Sequence, residues 1–205
     1  GIILKDLGKL KEAELSTRKA IELKPDFAEA HSNLGIILKD LGKLQEAELS
    51  TRKAIELNSD FATAHSNLGS ILKDLGKLQE AESSTRKAIQ IKPDFAEAHS
   101  NLGIILKDLG KLQEAELLQK KAIELNPHFA EAYSNLGIIL KDLGKVEEAE
   151  LLQRKAIELK SDLTEAHYIL GKMLLRQGKY FEGIKELKEG EGFIEFDLIN
   201  GVTIK

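Results

Sequence analysis

The chain has 205 residues, no cysteine, and 30 lysines and arginines against 34 aspartates and glutamates, for a formal net charge of −4. The basic residues are interspersed with glutamates, so no basic stripe exists for a phosphate backbone and we expect no nucleic acid partner. The lack of cysteine removes disulfides and thiolate chemistry and fits a reducing compartment, so we expect a cytoplasmic location. No apolar run approaches the ~20 residues of a membrane span, so no membrane partner is expected.

Glycines recur along the chain with a period of 34 residues. The two series are Gly1, Gly35, Gly69, Gly103, Gly137 and Gly171, and Gly8, Gly42, Gly76, Gly110, Gly144 and Gly178. A period of this size is typical of arrays in which each supersecondary unit buries its apolar face against its neighbours. We therefore expect a repeat solenoid without a single central core.

The first half of each repeat predicts a helix. At the start of the repeat 28–61, Asp26 and Glu29 match a capping box, in which the aspartate accepts from early backbone amides and the glutamate reaches back. An apolar stripe at three- and four-residue spacing follows, formed by Ala30, Leu34, Ile37, Leu38 and Leu41. The helix should end at Gly42, because glycine readily takes the left-handed conformation.

The second half of each repeat predicts another helix, which completes a helix-turn-helix unit. Its apolar stripe is Leu44, Ala47, Ala54, Ile55 and Leu57. It should end before Ser59, a position held by proline at Pro25, Pro93 and Pro127, where a helix cannot continue. Small residues at Gly35, Ala47 and Ala54 predict close approach of the two helices, and a larger side chain there should cost ~1–3 kcal/mol.

This pattern resembles the tetratricopeptide repeat from residue 1 to about 190. The matching positions are Leu34-Gly35, Gly42, Ala47, Ala54, Pro93 and Pro127. The chain departs from the family where His31, His65, His99, Tyr133 and His167 stand in place of a frequent tryptophan, and where Thr51, Thr85, Gln119 and Gln153 replace a frequent aromatic residue. The resemblance implies an all-α, right-handed superhelical solenoid.

Counting periods divides the chain into repeats and a tail. We expect a partial first repeat at 1–27, complete repeats at 28–61, 62–95, 96–129 and 130–163, a degenerate last repeat at 164–190, and a tail at 191–205. In the last repeat Ile169 replaces the recurring asparagine. The tail alternates apolar and acidic residues before Asn200-Gly201, which predicts a β-hairpin. It is the start of a downstream domain, a finished element or an unstructured end.

No constellation of residues predicts catalysis. Candidate serines and histidines recur with the repeat, which places copies about 10 Å apart, too far for one active site or one metal ion. Phosphate-binding loops and metal motifs are absent from the sequence. We therefore expect a protein that is not an enzyme and needs no cofactor or metal.

The first helix of each repeat carries a second, polar face. In residues 28–61 it comprises Glu29, Ser32, Asn33, Ile36, Lys39 and Asp40, largely opposite the apolar stripe, and we expect this face not to be core. The resemblance implies that the face lines an inner groove, where the recurring asparagines form a ladder similar to that of the O-linked N-acetylglucosamine transferase superhelix. An amide can pair with the N–H and C=O of an extended peptide.

The sequence thus predicts a protein or peptide partner bound in this groove. The expected contacts are Asn33, Asn67, Asn101 and Asn135, with Ile36, Ile104 and Ile138, and Lys39, Lys73, Lys107 and Lys141, each lysine being followed by an aspartate. Alternatively, the asparagines cap or bond within their own repeats. The basic clamp with which related chaperone-binding proteins hold a terminal carboxylate is missing, so we expect no recognition of a free C-terminus.

Two further roles stay open. The chain could be the substrate-recruiting arm of a larger enzyme whose catalytic domain begins in the tail, or a self-associating scaffold. End-to-end association is expected because the chain opens at Gly1 inside a repeat. Apolar residues then lie near both ends, namely Ile2, Ile3, Leu4 and Leu7, and Tyr180, Phe181, Ile184 and Leu187.

Overall fold

The computed structural model describes Lys5 and residues 8–191, 194–197 and 201–204, which divide between two units, residues 1–110 and 111–205. The described part of the first unit contains helices α1 (Leu10–Leu23), α2 (Ala28–Asp40), α3 (Leu44–Leu57), α4 (Ala62–Asp74), α5 (Leu78–Ile91) and α6 (Ala96–Asp108). That of the second contains α7 (Leu112–Leu125), α8 (Ala130–Asp142), α9 (Val146–Leu159), α10 (Thr164–Arg176), α11 (Tyr180–Glu191) and strands β1 (Ile194–Asp197) and β2 (Gly201–Ile204).

The helices pack in consecutive pairs, as an array of helix-turn-helix repeats requires. In the first unit α2 packs on α3 and α4 on α5, and in the second unit α8 packs on α9 and α10 on α11. We call the first helix of each pair helix A and the second helix B. The predicted all-α repeat architecture is confirmed.

The predicted capping box is wrong. Helix α2 begins at Ala28, and no side-chain hydrogen bond caps it at its N-cap residue, Phe27. A turn precedes the helix, closed by the Phe27 amide donating to the Lys24 carbonyl at 3.2 Å, and Asp26 lies within that turn. The aspartate therefore precedes the capping position by one residue, and its carboxylate does not cap the helix.

The predicted helix stop at Gly42 is confirmed. Its φ is +74°, in the left-handed region, and its amide donates to the Lys39 carbonyl at 2.9 Å. The next amide, of Lys43, donates to the Leu38 carbonyl at 2.8 Å. These two bonds form a Schellman motif, which satisfies carbonyls at the end of α2 and turns the chain into α3.

Each repeat shares its core with the next one. In the first unit, Leu34, Leu38 and Ala47 pack against Ile71 from the following helix A. The same contact recurs 34 residues later around Ile105. The repeats are thus stabilised by their neighbours, as expected for a solenoid.

A chain of ion pairs links successive B helices. The Glu48 carboxylate accepts from Arg52 on its own helix and from Lys77 of the next repeat, each at 2.8 Å, and Arg52 also contacts Glu80 at 2.9 Å. The hydrogen bond from Lys77 is the largest cause that lowers the pKa of Glu48; burial opposes it and the bond from Arg52 adds to it. Equivalent ion pairs surround Glu14 and, in the second unit, Glu116 and Glu150.

The sequence predicts an apolar edge at the end of the second unit, and the structure differs from this prediction at one residue. Leu187 is fully buried and contacts Gly171, so it is not part of an exposed apolar edge, whereas Tyr180 and Phe181 are exposed. Beyond α11, β1 pairs antiparallel with β2, and Asp197 lies opposite Gly201. Residues Ile2, Ile3, Leu4 and Leu7, to which the sequence also assigns an apolar edge, lie outside the described residues.

Candidate functional site

The predicted peptide-contacting residues of the first unit lie on its three A helices. Asn33 and Ile36 belong to α2, Asn67 to α4, and Asn101 and Ile104 to α6. Helix α2 contacts α4, and α4 contacts α6, so these side chains follow one another at one-repeat intervals. All five are half-buried, which leaves part of each accessible. We call this set the helix-A face.

Buried serines hold two asparagines of the helix-A face, Asn67 and Asn101. Nδ2 of Asn67 donates to Oγ of Ser32 at 3.1 Å, and Nδ2 of Asn101 donates to Oγ of Ser66 at 3.0 Å. Ser32 and Ser66 are almost fully buried, so the expectation that Ser32 belongs to a face excluded from the core is wrong. Asn67 and Asn101 therefore each bond to the preceding repeat, which neither the ladder nor the capping interpretation anticipates.

The bond to serine leaves most of the amide unused. An asparagine side chain has two N–H donors and an acceptor oxygen. Within the part of the chain that the structure describes, Oδ1 of Asn67 and of Asn101 accepts no hydrogen bond. One N–H is fixed on serine, so the amide plane is oriented while Oδ1 and the second N–H remain for a ligand.

The lysines predicted to attract acidic peptides are paired with aspartates. Lys39 lies 3.4 Å from Asp74, on the next helix A, and Lys73 lies 3.2 Å from the same carboxylate. Lys107 and Lys141 pair with the aspartates that follow them at 3.2 and 3.5 Å. These half-exposed pairs cancel most of the positive charge next to the asparagines.

In the second unit the corresponding residues are Asn135, Ile138 and Lys141 on α8, all half-buried. The buried serine of that helix, Ser134, bonds differently from Ser32. Its hydroxyl donates to Oε1 of Gln153 at 2.9 Å, and Nε2 of Gln153 donates to the Ser134 carbonyl at 2.9 Å. The next repeat has no asparagine at the equivalent position, since Ile169 stands there and packs on the core.

The recurring histidines hydrogen-bond to the turn that precedes their own helix A. Nε2 of His31 lies 2.9 Å from the carbonyl of Pro25, six residues earlier, and His65, His99 and His167 make the equivalent bond at 2.9–3.0 Å. His167 also contacts Glu186 at 2.6 Å. Among the described residues, no group of three or more histidine, aspartate or glutamate side chains is placed to hold a metal ion.

Two grooves between B helices form a site that the sequence analysis did not identify. The α1–α3 groove, of about 500 Å³, has Ile21, Leu34, Leu38 and Ser50 among its lining residues. The α3–α5 groove, of about 610 Å³, has the equivalents Ile55, Leu68, Leu72 and Ser84. In the second unit, the position equivalent to Ser84 is Leu152, which packs on Leu136 and Leu140. The alignment of the repeats contains this signal, because one position holds serine in three successive repeats, Ser16, Ser50 and Ser84, and leucine in the next two, Leu118 and Leu152.

The fold and the helix-A face define a tetratricopeptide-type helical repeat protein. Family models described as TPR repeat and tetratricopeptide repeat match residues 1–42 and 69–110, 94–162, and 28–61, which together make up more than half of the chain. The chain belongs to the tetratricopeptide repeat family. A search of curated proteins found no match. Among described residues, none of the helices has both the length and the apolar character needed to cross a membrane.

Solved structures with low sequence identity share this fold. PilF of Pseudomonas aeruginosa is 22% identical, with a TM-score of 0.73 over 81% of this chain and 77% of that chain. TTC0263, a thermophilic TPR protein of Thermus thermophilus, is 22% identical, with a TM-score of 0.77 over 85% and 95%. YrrB, a TPR protein with an unusual peptide-binding site, is 24% identical, with a TM-score of 0.59 over 88% and 93%.

Proposed function

We propose that the chain is a protein–protein interaction module that binds an extended polypeptide segment along its helix-A face. The observation that carries the proposal is the pair of amides, Asn67 and Asn101, each held by a buried serine of the preceding repeat and each with Oδ1 unused by the described residues. An amide oriented in advance loses less entropy when it binds, so a hydrogen bond to a ligand contributes more to affinity.

The repeat spacing suits an extended peptide. Adjacent A helices lie about 10 Å apart, and an extended chain rises about 3.3 Å per residue, so one asparagine meets about every third peptide residue. Its Oδ1 accepts a peptide N–H and its free N–H donates to a peptide C=O. We include Asn33 in this ladder, with Ile36 and Ile104 as apolar contacts between the amides. In the second unit, considered by itself, we propose Asn135 and Ile138 as the equivalent contacts. YrrB, which shares this fold, has a peptide-binding site, and this supports a peptide as the class of ligand.

The ligand we propose is a peptide without strong net charge. Lys39, Lys73, Lys107 and Lys141 stay within the site, but each already contacts an aspartate, so an acidic peptide gains little from them. Binding should therefore depend weakly on salt concentration. We assign binding rather than catalysis because the polar side chains of the face recur with the repeat instead of converging on one point.

The test uses a peptide selected from a random library on the wild-type protein and measured by fluorescence anisotropy. Replacing Asn67 and Asn101 together by alanine should weaken binding about five- to hundredfold, since each hydrogen bond contributes ~0.5–1.5 kcal/mol. The matched control is Ser32→Ala with Ser66→Ala, which removes the same two intrachain bonds but keeps both amides.

The two double variants separate ligand binding from internal structure. If the asparagines act on a ligand, the serine variant loses only the share of affinity that comes from orienting the amides and still binds more tightly than the asparagine variant, while both variants lose similar stability in urea. Equal affinity in the asparagine variant and the wild type, with helix content unchanged by circular dichroism, would refute the proposal. The cytoplasmic location and end-to-end association expected from the sequence remain predictions.

A further inference from the structure

A serine lines each of the two grooves between the B helices of the first unit. Ser50 and Ser84 stand where the second unit has Leu118 and Leu152. In the second unit Leu152 occupies the equivalent space, packed with Ile123, Leu136 and Leu140. An aliphatic side chain such as leucine is therefore compatible with the lining of these grooves.

The same surface of the first unit carries leucines that nothing in the described structure covers. Leu15 on α1 and Leu49 on α3 are 70% and 69% exposed and stand at equivalent positions one repeat apart. The third such position, on α5, is Ser83, which lines the α3–α5 groove. Two protruding leucines and two grooves large enough to receive them therefore share one face and one spacing.

We propose that this face binds the same face of a second copy of the chain. Leu15 and Leu49 of each copy occupy the α3–α5 groove and the α1–α3 groove of the other. A two-fold axis requires a surface that complements itself, and alternating ridges and grooves of equal spacing meet that requirement. Two layers of B helices pack in this way as ridges into grooves.

The charges around the grooves favour a second copy over a charged partner. Arg52 and Lys87 line the α3–α5 groove together with Glu56 and Glu80. The α1–α3 groove has the same balance, with Arg18 and Lys53 against Glu22 and Glu46. Each rim has no net charge, so two copies meet without net repulsion, whereas an acidic or basic partner gains no long-range attraction.

The dimer leaves the helix-A face free, because only B helices contribute the leucines. A dimer would present two peptide-binding faces at once, and linking two sites raises the apparent affinity for a ligand that spans both. This inference does not depend on the proposed peptide binding. Replacing Asn67 and Asn101 by alanine should leave the dimer intact, so failure of one proposal is distinguishable from failure of the other.

The test is the mass of the full chain as a function of concentration by sedimentation and light scattering. The wild type should form a dimer at micromolar concentration. The variant Leu15→Ser with Leu49→Ser, which copies the serine of α5, should weaken dimerisation about a hundredfold or more, because every leucine is lost twice per dimer. The matched control is Leu117→Ser with Leu151→Ser, which are 67% and 68% exposed in the second unit and should leave the dimer unchanged.

A second variant fills part of each groove with a side chain of the protein itself. Ser50→Leu with Ser84→Leu places at both sites the residue found in the second unit, so the fold should tolerate it, and it should also abolish the dimer. The proposal is overturned if the wild type stays monomeric to high micromolar concentration, if filled grooves leave dimerisation unchanged, or if the control variant dissociates as readily as the Leu15 and Leu49 variant. Species larger than a dimer whose formation is unaffected by these substitutions indicate end-to-end association instead, and they also overturn the proposal.

Discussion

The contact between α4 and α5 at Gly69 is so close that one added methyl group should destabilise the protein. A Cβ at Gly69 would lie well inside van der Waals contact of Oγ1 of Thr85 and 3.2 Å from the Ala81 carbonyl oxygen. Thr85 is fully buried, and its hydroxyl donates to that same carbonyl at 2.9 Å. The hydroxyl cannot move aside without losing this bond.

These contacts set the magnitude for Gly69→Ala. Overpacking costs about 1–3 kcal/mol and disturbing the Thr85 hydrogen bond about 1 kcal/mol, while alanine gains about 0.5–1 kcal/mol of helix propensity over glycine. We expect a net loss of about 1–3 kcal/mol in urea unfolding monitored by circular dichroism. Because repeats unfold as coupled neighbours, the curves need a nearest-neighbour fit.

A double-mutant cycle tests the cause. Thr85→Ala removes the obstructing hydroxyl, so the double variant should be less destabilised than the sum of the single variants, by about 1 kcal/mol or more. Gly137→Ala is the matched comparison in the second unit. There the added Cβ meets Nε2 of Gln153 at 2.6 Å, and this fully buried amide makes two hydrogen bonds to Ser134, so the cost should be of the same size. Additive effects in the cycle, or a Gly137→Ala variant as stable as the wild type, would refute this account.

Three further predictions concern charge, backbone and burial. The pKa of Glu48 is lowered chiefly by its bond from Lys77, so its contribution to stability is complete above the ordinary value of 4.5 and is lost as pH falls through the lower folded-state value. The thermal midpoint of unfolding should therefore fall less steeply with decreasing pH in Glu48→Gln than in the wild type. Gly76 has a φ of +76° and open space around its Cβ position, so Gly76→Ala should cost about 1–2 kcal/mol in urea unfolding, from backbone conformation alone. Leu187 is fully buried, so Leu187→Ala should cost about 2–5 kcal/mol and raise hydrogen exchange mainly in α10 and α11.

The sequence predicts the helices well because their signals are local. The stop at Gly42 follows from glycine's access to positive φ, and the structure has this conformation at +74°. The start of α2 fails as a prediction because Asp26 and Glu29 match a capping box, yet the turn from Lys24 to Phe27 shifts the carboxylate out of register. Helix starts depend on the geometry of the preceding turn, which residue types alone do not specify.

The asparagine contacts could not be predicted in the same way. A helical wheel places Ser32 and Asn33 on one side of α2, but it does not show how the next helix A lies against that side. In the structure Ser32 is buried between the two helices and accepts from Asn67, 35 residues later. The sequence predicts which residues recur on the face, and only the packing of adjacent repeats divides that face into a buried part and an accessible part.

Where two neighbouring repeats differ, the difference indicates which surfaces selection can change. The repeats of α2–α3 and α4–α5 differ at seven positions, none of them buried in either repeat: Glu29/Thr63, Ile36/Ser70, Leu49/Ser83, Glu56/Gln90, Leu57/Ile91, Asn58/Lys92 and Ser59/Pro93. A buried residue must fit both neighbouring repeats, so its replacement disturbs two interfaces at once. Ile36/Ser70 lies on the helix-A face and Leu49/Ser83 beside the helix-B grooves, and both exchange a large apolar side chain for a small polar one. The repeats therefore keep one scaffold and vary the apolar contacts that each of the two faces offers.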